Sequence, residues 1–132
     1  MNQKGVTLIE LLVTVTIMSA VLSVSILLVN VALKSEQEVT VKNELQREAR
    51  FIAESVTEKI RDGVKASYDA EAGKIVFSDG RSLAIETGNI DQFDLSPKRE
   101  NVYDLHLILN HSDSPINYEL NTEIVISERF RY

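Results

Sequence analysis

The chain has 132 residues, of which 14 are Lys or Arg and 20 are Asp or Glu, and it contains no Cys. This length predicts one domain of modest size and excludes large multidomain enzymes. A formal net charge of -6 offers no basic surface for phosphates, so no direct nucleic-acid binding is expected. Without Cys, disulfide bonds, thiolate metal sites and thiol nucleophiles are excluded.

Charge separates the N-terminal quarter of the chain from the rest. Up to Leu33 the only charged side chains are Lys4 and Glu10, and the 23 residues Leu11–Leu33 carry no charge. Roughly 20 such apolar residues cross a bilayer core as a helix. The pattern therefore predicts either a membrane-spanning helix or the apolar region of a secretory signal.

The flanks of the apolar run help to choose between these two alternatives. A secretory signal has a basic start, a short apolar run and a small-x-small cleavage site. Here one basic residue precedes the run, the run is long, and Ser23-Val24-Ser25 is a weak cleavage site. A retained helix is favoured, and a signal-anchored or secreted extracytoplasmic binding domain is the competing hypothesis.

The first ten residues carry a recognisable motif. Lys4-Gly5-Val6-Thr7-Leu8-Ile9-Glu10, followed by the uncharged run, resembles the processing site of class III type IV prepilins and pseudopilins. The resemblance implies that a prepilin peptidase cleaves after Gly5 and methylates the new amine of Val6, where the family usually has Phe. It also implies that the mature protein keeps its apolar helix and assembles through it into a filament.

Glu10 is a carboxylate at the start of the apolar run, where an ionised side chain is costly without a partner. The resemblance implies that Glu10 neutralises the amine of Val6 on the preceding subunit of the filament. Unlike charges attract far more strongly in a low-dielectric medium than in water. We therefore predict that Glu10 is an assembly residue; snorkelling of its side chain to the membrane interface is the alternative.

The apolar run also bears on the kind of subunit. No Pro or Gly occurs between Val6 and Asp62, which predicts one continuous helix, and Leu27 stands where many major pilins carry Pro. This departure favours a minor subunit. Five hydroxyl residues in the run can bond to their own backbone or line helix contacts. They are Thr14, Thr16, Ser19, Ser23 and Ser25.

Past Lys34 the sequence becomes amphipathic. Apolar residues recur at intervals of three and four and form one stripe of a helix, which predicts a buried face. Gly63 suits the C′ position after the basic last turn, so we predict that the helix ends there. The stripe consists of Val41, Leu45, Ala49, Ile52, Val56 and Ile60.

Residues 64–132 carry strand patterns separated by turn residues. Alternation of apolar and polar residues indicates antiparallel strands with one apolar face, and the amphipathic helix half would cover that face. The strand candidates are Lys74–Phe77 and Ser82–Ile85, joined by Ser78-Asp79-Gly80-Arg81, then Asp91–Leu95, and then the pair Tyr103–Asn110 and Ile116–Ile126.

Together these features predict a pilin-like α+β fold. A long N-terminal helix, transmembrane in its first half and amphipathic in its second, packs on an antiparallel sheet of about four strands. The expected organisation is a leader (1–5), a transmembrane and filament-core helix (6–33), an amphipathic helix half (34–63) and the sheet of the globular domain (64–132).

Two shorter segments resemble the J-type minor pseudopilins and related minor pilins. Glu44–Ile52 is similar to a helix segment of that group, and Gly88–Leu95 is similar to a strand that precedes the last hairpin. The resemblance thus favours a minor subunit of a type IV pilus, a competence pseudopilus or a type II secretion-like pseudopilus.

Catalytic and metal-binding patterns are absent from the sequence. His106 and His111 are the only histidines, and a metal site would have to recruit Asp104 or Asp113 at a spacing that matches no familiar ligand set. Asp79-Gly80 lacks the acidic ladder of a calcium loop. We therefore predict no enzyme activity, no catalytic residue, no metal site and no cofactor.

The family resemblance also implies partners and location. Expected partners are other pilin or pseudopilin subunits, the prepilin peptidase, a membrane assembly platform and the lipid of the cytoplasmic membrane. The protein would cross the cytoplasmic (inner) membrane once, with its C-terminal domain extracytoplasmic, and would then enter a cell-surface or periplasmic filament.

Overall fold

A computed structural model describes residues 7–127 of the chain. It contains one long helix and six strands, and the contacts divide the chain into two compact units, one up to Glu38 and one from Val39 onward. The elements are α1 (Leu8–Arg61), β1 (Ala66–Asp69), β2 (Lys74–Phe77), β3 (Ser82–Ala84), β4 (Gly88–Arg99), β5 (Val102–His111) and β6 (Asn117–Val125).

The first unit consists of the N-terminal part of α1. Its large apolar side chains expose between 49% (Val13) and 83% (Leu8) of their surface. The five hydroxyl residues each donate a hydrogen bond to the carbonyl oxygen four residues earlier, at 2.7–2.9 Å. These bonds satisfy the hydroxyls within the helix itself, which is one of the two alternatives that the sequence left open.

In the second unit, α1 ends as its sequence predicts. Gly63 has a φ of +80°, which favours glycine. The N–H of Val64 donates to the carbonyl of Lys59 at 2.9 Å, and the N–H of Gly63 donates to the carbonyl of Ile60 at 3.0 Å. This pair of bonds is a Schellman motif, which satisfies carbonyls that the end of a helix leaves unpaired.

The core of the second unit lies between the predicted helix stripe and the strands. Five of the six stripe residues are buried and Val41 is half-buried, so the predicted amphipathic face is confirmed. On β5, Leu105, Leu107 and Leu109 are buried, and their alternation places them on the helix-facing side of the sheet. Burial of a Leu side chain stabilises the folded chain by about 1.5–3 kcal/mol.

The strands form two antiparallel sheets of three strands each, in the orders β1-β2-β3 and β4-β5-β6. The pilin-like α+β fold is confirmed, with two sheets where the sequence predicts one sheet of about four strands. The division occurs after β3. There the Glu48 carboxylate on the helix accepts hydrogen bonds from the backbone N–H groups of Glu86 (2.6 Å) and Thr87 (3.2 Å). These N–H groups are therefore bonded to the helix.

Two strands differ clearly from the sequence-based expectation: β1 was not predicted, and β4 is longer than expected. β4 runs over twelve residues and extends beyond Asp91–Leu95 at both ends. It includes Pro97, which an edge strand tolerates because the missing N–H need not join a ladder. At its start, a Cβ on Gly88 would lie 2.3 Å from the Asn110 carbonyl oxygen, so only Gly allows the backbones to pair this closely.

Candidate functional site

The candidate site is the start of α1, where Thr7 and Glu10 bind each other reciprocally. One carboxylate oxygen of Glu10, Oε2, accepts hydrogen bonds from the Thr7 N–H at 3.0 Å and from the Thr7 hydroxyl at 3.1 Å. In return, the Glu10 N–H donates to Thr7 Oγ1 at 3.4 Å. This arrangement is a capping box, which satisfies N–H groups that have no partner within the helix.

The capping box leaves part of the carboxylate available. Both Thr7 donors bind Oε2 of Glu10, and no described residue donates to Oε1. A carboxylate has about four acceptor positions, so Oε1 can accept from a further donor while the cap stays intact. A negative charge here also interacts favourably with the helix dipole. Glu10 can thus hold a cation without giving up its place in the helix.

The structure places only one of the three predicted site residues. Glu10 is exposed in the first turn of α1, whereas Gly5 and Val6 lie outside the described residues. The sequence analysis did not identify Thr7 as a partner of Glu10. The signal was available, because Thr-x-x-Glu before an apolar run is the sequence pattern of a capping box.

The helix that begins at this site is long and apolar enough to cross a membrane. Among the described residues it is the one helix with that length and composition, and the apolar window lies near its N-terminal end with none of it buried. A soluble unit rarely exposes a continuous apolar surface of this extent. The exposed apolar helix therefore requires an apolar environment, either lipid or other helices.

The polar residues noted in the sequence lie elsewhere, on the sheet of β4, β5 and β6. His106 Nε2 lies 2.9 Å from Glu119 Oε1, an interaction that lowers the pKa of Glu119 together with the hydrogen bond from Asn121. The Lys98 ammonium binds Glu123 and Asp104, which raises the pKa of Lys98. The Lys98 contacts are surface ion pairs, which have a small effect on stability.

Three other residues singled out by the sequence have local structural roles. His111 Nδ1 accepts a hydrogen bond from the Asp113 N–H at 3.2 Å within the β5–β6 turn. Asp79 binds Lys59 of the helix at 2.7 Å and the Arg81 N–H at 3.0 Å within the β2–β3 turn. Over residues 7–127, no group of three or more His, Cys, Asp or Glu side chains is placed to hold a metal ion.

Comparison with known proteins addresses the N-terminal motif directly. Residues 1–26 match the family described as the prokaryotic N-terminal methylation motif. The match supports a class III prepilin of the type IV pilin family. No curated protein and no solved structure gives a match to the chain. The resemblance of Lys4–Glu10 to prepilins is thereby confirmed, and the J-type resemblance remains a prediction.

The motif and the apolar helix together bear on processing, assembly and location. The motif supports processing by prepilin peptidase and assembly with other pilin subunits. With the long apolar helix, it indicates membrane anchoring followed by a surface or periplasmic filament. The family points to a structural protein and not to an enzyme.

Proposed function

We propose that this protein is a minor filament subunit that prepilin peptidase cleaves after Gly5 and methylates on Val6. Residues 1–5 then form the leader, 6–33 the membrane and filament-core helix, 34–63 the amphipathic half and 64–132 the sheet domain. The observation that carries this proposal is the methylation motif at residues 1–26, which overlaps the start of the exposed apolar helix.

In this proposal Glu10 compensates the amine of Val6 on the neighbouring subunit. The capped geometry supports this role, because Thr7 holds Oε2 and no residue within 7–127 donates to Oε1. An amine and a carboxylate that both lie among apolar helices stabilise each other, since each is costly alone. A subunit that enters the filament out of register would leave both charges uncompensated.

The minor role is supported by the sequence of the helix and by the order of the strands. No Pro interrupts α1 near Leu27, which departs from many major pilins. The two segments that resemble J-type subunits lie in the helix and at the start of β4, directly before the β5–β6 hairpin. The machine is a type IV pilus, a competence pseudopilus or a type II secretion-like pseudopilus.

The remaining partners follow from the same proposal. The subunit crosses the cytoplasmic membrane once, with Lys4 inside and the sheet domain outside, and waits there in contact with lipid. A membrane assembly platform then extracts it into the filament. The exposed apolar surface of α1 supports both stages, because lipid and neighbouring helices are equivalent apolar environments for it.

The test is the intact mass and N-terminal sequence of the full chain from membranes, with and without the prepilin peptidase. We expect a mature chain that begins at Val6 and is heavier by one methyl group only when the peptidase is present. Gly5→Leu should abolish cleavage, whereas the matched variant Val6→Phe, which introduces the family's usual residue, should be cleaved. A chain that begins near Ile26, or an uncleaved chain beside active peptidase, contradicts the proposal.

A further inference from the structure

The side of α1 that faces away from the strands of the second unit carries a regular row of side chains. The buried stripe lies on the other side of the helix, in the core. Residues spaced alternately three and four apart share one face of a helix. We call this row the outer seam, and it consists of Glu44, Arg47, Phe51, Glu54, Glu58 and Arg61.

The outer seam has no partner within the second unit. Phe51 exposes 57% of its surface. Four charged residues are exposed with it, and within the described part of the chain none of their side chains makes a hydrogen bond or an ion pair: Arg47, Glu54, Glu58 and Arg61. Because the strands cover the opposite side of the helix, the seam can face a second molecule without obstruction from its own sheets.

The charges of the seam alternate in sign at intervals of seven residues. Arg47 is positive, Glu54 is negative and Arg61 is positive. Seven residues are close to two turns of a helix, so these three side chains project in nearly the same direction. A second helix of the same sequence can therefore match these charges only in particular registers.

We propose that the outer seam binds the outer seam of a second copy, parallel to it and shifted by seven residues. The shift places Arg47 of one copy opposite Glu54 of the other, and Glu54 opposite Arg61. Seven residues correspond to about 10.5 Å along the axis, at a rise of about 1.5 Å per residue. The inference rests on the proposed filament function, since copies that enter one filament from one membrane share their helix direction. It requires that two copies are neighbours, and not that this chain is the main component of the filament.

Like charges oppose the other parallel registers. Without a shift, Arg47 meets Arg47 and Glu54 meets Glu54. A shift of three or four residues brings Glu54 against Glu58, a shift of ten or eleven brings Glu44 against Glu54, and a shift of fourteen brings Arg47 against Arg61. Like charges on facing helix positions destabilise the contact and so select against a register. Among the registers that bring two or more seam residues of each copy together, only the shift of seven pairs opposite charges without opposing like ones.

This register makes the contact depend on the state of assembly. Two copies at equal depth in a membrane meet without a shift, and their like charges repel. A filament adds subunits by a heterologous contact, so successive copies are displaced along its axis. Exposed ion pairs contribute at most about 1 kcal/mol each, so they select the register while the apolar helix supplies the affinity. The seam therefore favours neighbours in a filament over association within the membrane.

The experiment is disulfide crosslinking of two full-length copies with different epitope tags, co-expressed with the prepilin peptidase and oxidised in sheared or secreted filaments. One copy carries Phe51→Cys and the other carries Glu58→Cys. These positions face each other at a shift of seven and leave both proposed ion pairs intact. The matched control carries Phe51→Cys in both copies and reports contact without a shift. Because the chain has no Cys, the introduced cysteines are its only thiols.

Charge variants of the crosslinking pair test the assigned contacts. Glu54→Arg in both copies places like charges at both contacts. Adding Arg47→Glu and Arg61→Glu to both copies restores opposite charges with the signs exchanged. A seam that acted through its shape alone would not recover in this way.

We expect the shifted cysteine pair to give at least about fivefold more mixed-tag dimer than the unshifted control, because one register is selected. Glu54→Arg should lower that yield several-fold, and the added reversals should restore at least about half of it. Equal yields from the shifted and unshifted pairs, or no restoration, would overturn the inference.

The outcome for the filament function is read separately, from the amount of processed chain in the filament fraction. Filaments that contain the processed chain without this dimer assign the seam to a different subunit, and overturn the inference while the filament function stands. A chain that is never processed or incorporated overturns both.

Discussion

Glu48 on the helix binds the backbone of Thr87 at the point where the chain passes from the first sheet to the second. Its two carboxylate oxygens each lie 3.2 Å from the Thr87 nitrogen, and one of them also accepts from the Glu86 N–H. The two partners are far apart in sequence, and this contact ties the segment between β3 and β4 to α1. Several properties of the second unit depend on such contacts.

Removal of the Glu48 carboxylate should destabilise the second unit. We expect Glu48→Ala to lower the free energy of unfolding by about 1–3 kcal/mol, because two backbone N–H groups lose a charged acceptor. Denaturant unfolding of the full chain in detergent micelles measures this change. Glu54→Ala, at an exposed position on the same helix, is the control and should stay within about 0.5 kcal/mol of the parent.

Gly88 should tolerate no side chain. A Cβ there would meet the Asn110 carbonyl oxygen at 2.3 Å and the Leu45 side chain at 3.3 Å. Because the oxygen belongs to backbone, Gly88→Ala must shift β4 against β5, and we expect a loss of about 1–3 kcal/mol. Thermal unfolding compares Gly88→Ala with Asn89→Ala, a substitution at an exposed neighbour. If the two variants are equally stable, Gly88 does not pack against the Asn110 carbonyl.

Asp79 should contribute an acid-sensitive part of the stability. The hydrogen bond from Lys59, followed by that from the Arg81 N–H, lowers the pKa of Asp79 below its usual 3.8. The pKa of Asp79 is thus lower in the folded chain than in the unfolded chain. Its contribution to stability is fully present at a pH above the unfolded-state pKa, and it is lost as the pH falls through the folded-state pKa. Asp79→Asn should therefore lose less stability than the parent on acidification below about pH 4. Unfolding curves at several pH values test this, with exposed Asp62→Asn as the control that should follow the parent.

Thr7 should stabilise the first turn of α1. Thr7→Val keeps the side-chain shape but removes the hydroxyl that bonds the Glu10 N–H and carboxylate. Loss of an N-cap costs about 1 kcal/mol, so hydrogen exchange of the Glu10 amide should accelerate roughly fivefold. NMR of the full chain in micelles measures the rate, and Thr7→Ser should restore protection. Unchanged exchange in the Val variant would argue against the capping box.

Glu10 should be required for assembly and not for folding. In Glu10→Gln, the amine of the neighbouring subunit would have no anionic partner among the apolar helices, so filament incorporation should fall by at least about tenfold. The readout is the amount of processed subunit in sheared or secreted filaments relative to membranes. Glu38→Gln, beyond the apolar run, is the matched control. Normal incorporation of Glu10→Gln would exclude charge compensation by this residue.

Much of the second unit was predictable because its signals are local. The helix stripe from Leu45 to Ile60 follows from period alone, and Gly63 ends the helix because only glycine favours its positive φ. The β2–β3 and β5–β6 pairs follow from alternation and turn residues. The candidate site was predictable as far as Glu10, since a carboxylate before 23 uncharged residues stands out by composition.

The sequence by itself determined the methylation motif, the apolar helix and the helix-on-sheet class, because each depends on neighbouring residues only. The tertiary structure decided that the strands form two sheets, that Gly88 lies against the Asn110 carbonyl, and that Glu48 holds the segment between the two sheets. These features depend on contacts between residues that are far apart in the sequence, such as Glu48 and Thr87. Contacts of this kind produce no periodic pattern in the sequence. Charge spacing likewise shows where Glu10 lies, whereas only the coordinates show which of its oxygens Thr7 occupies.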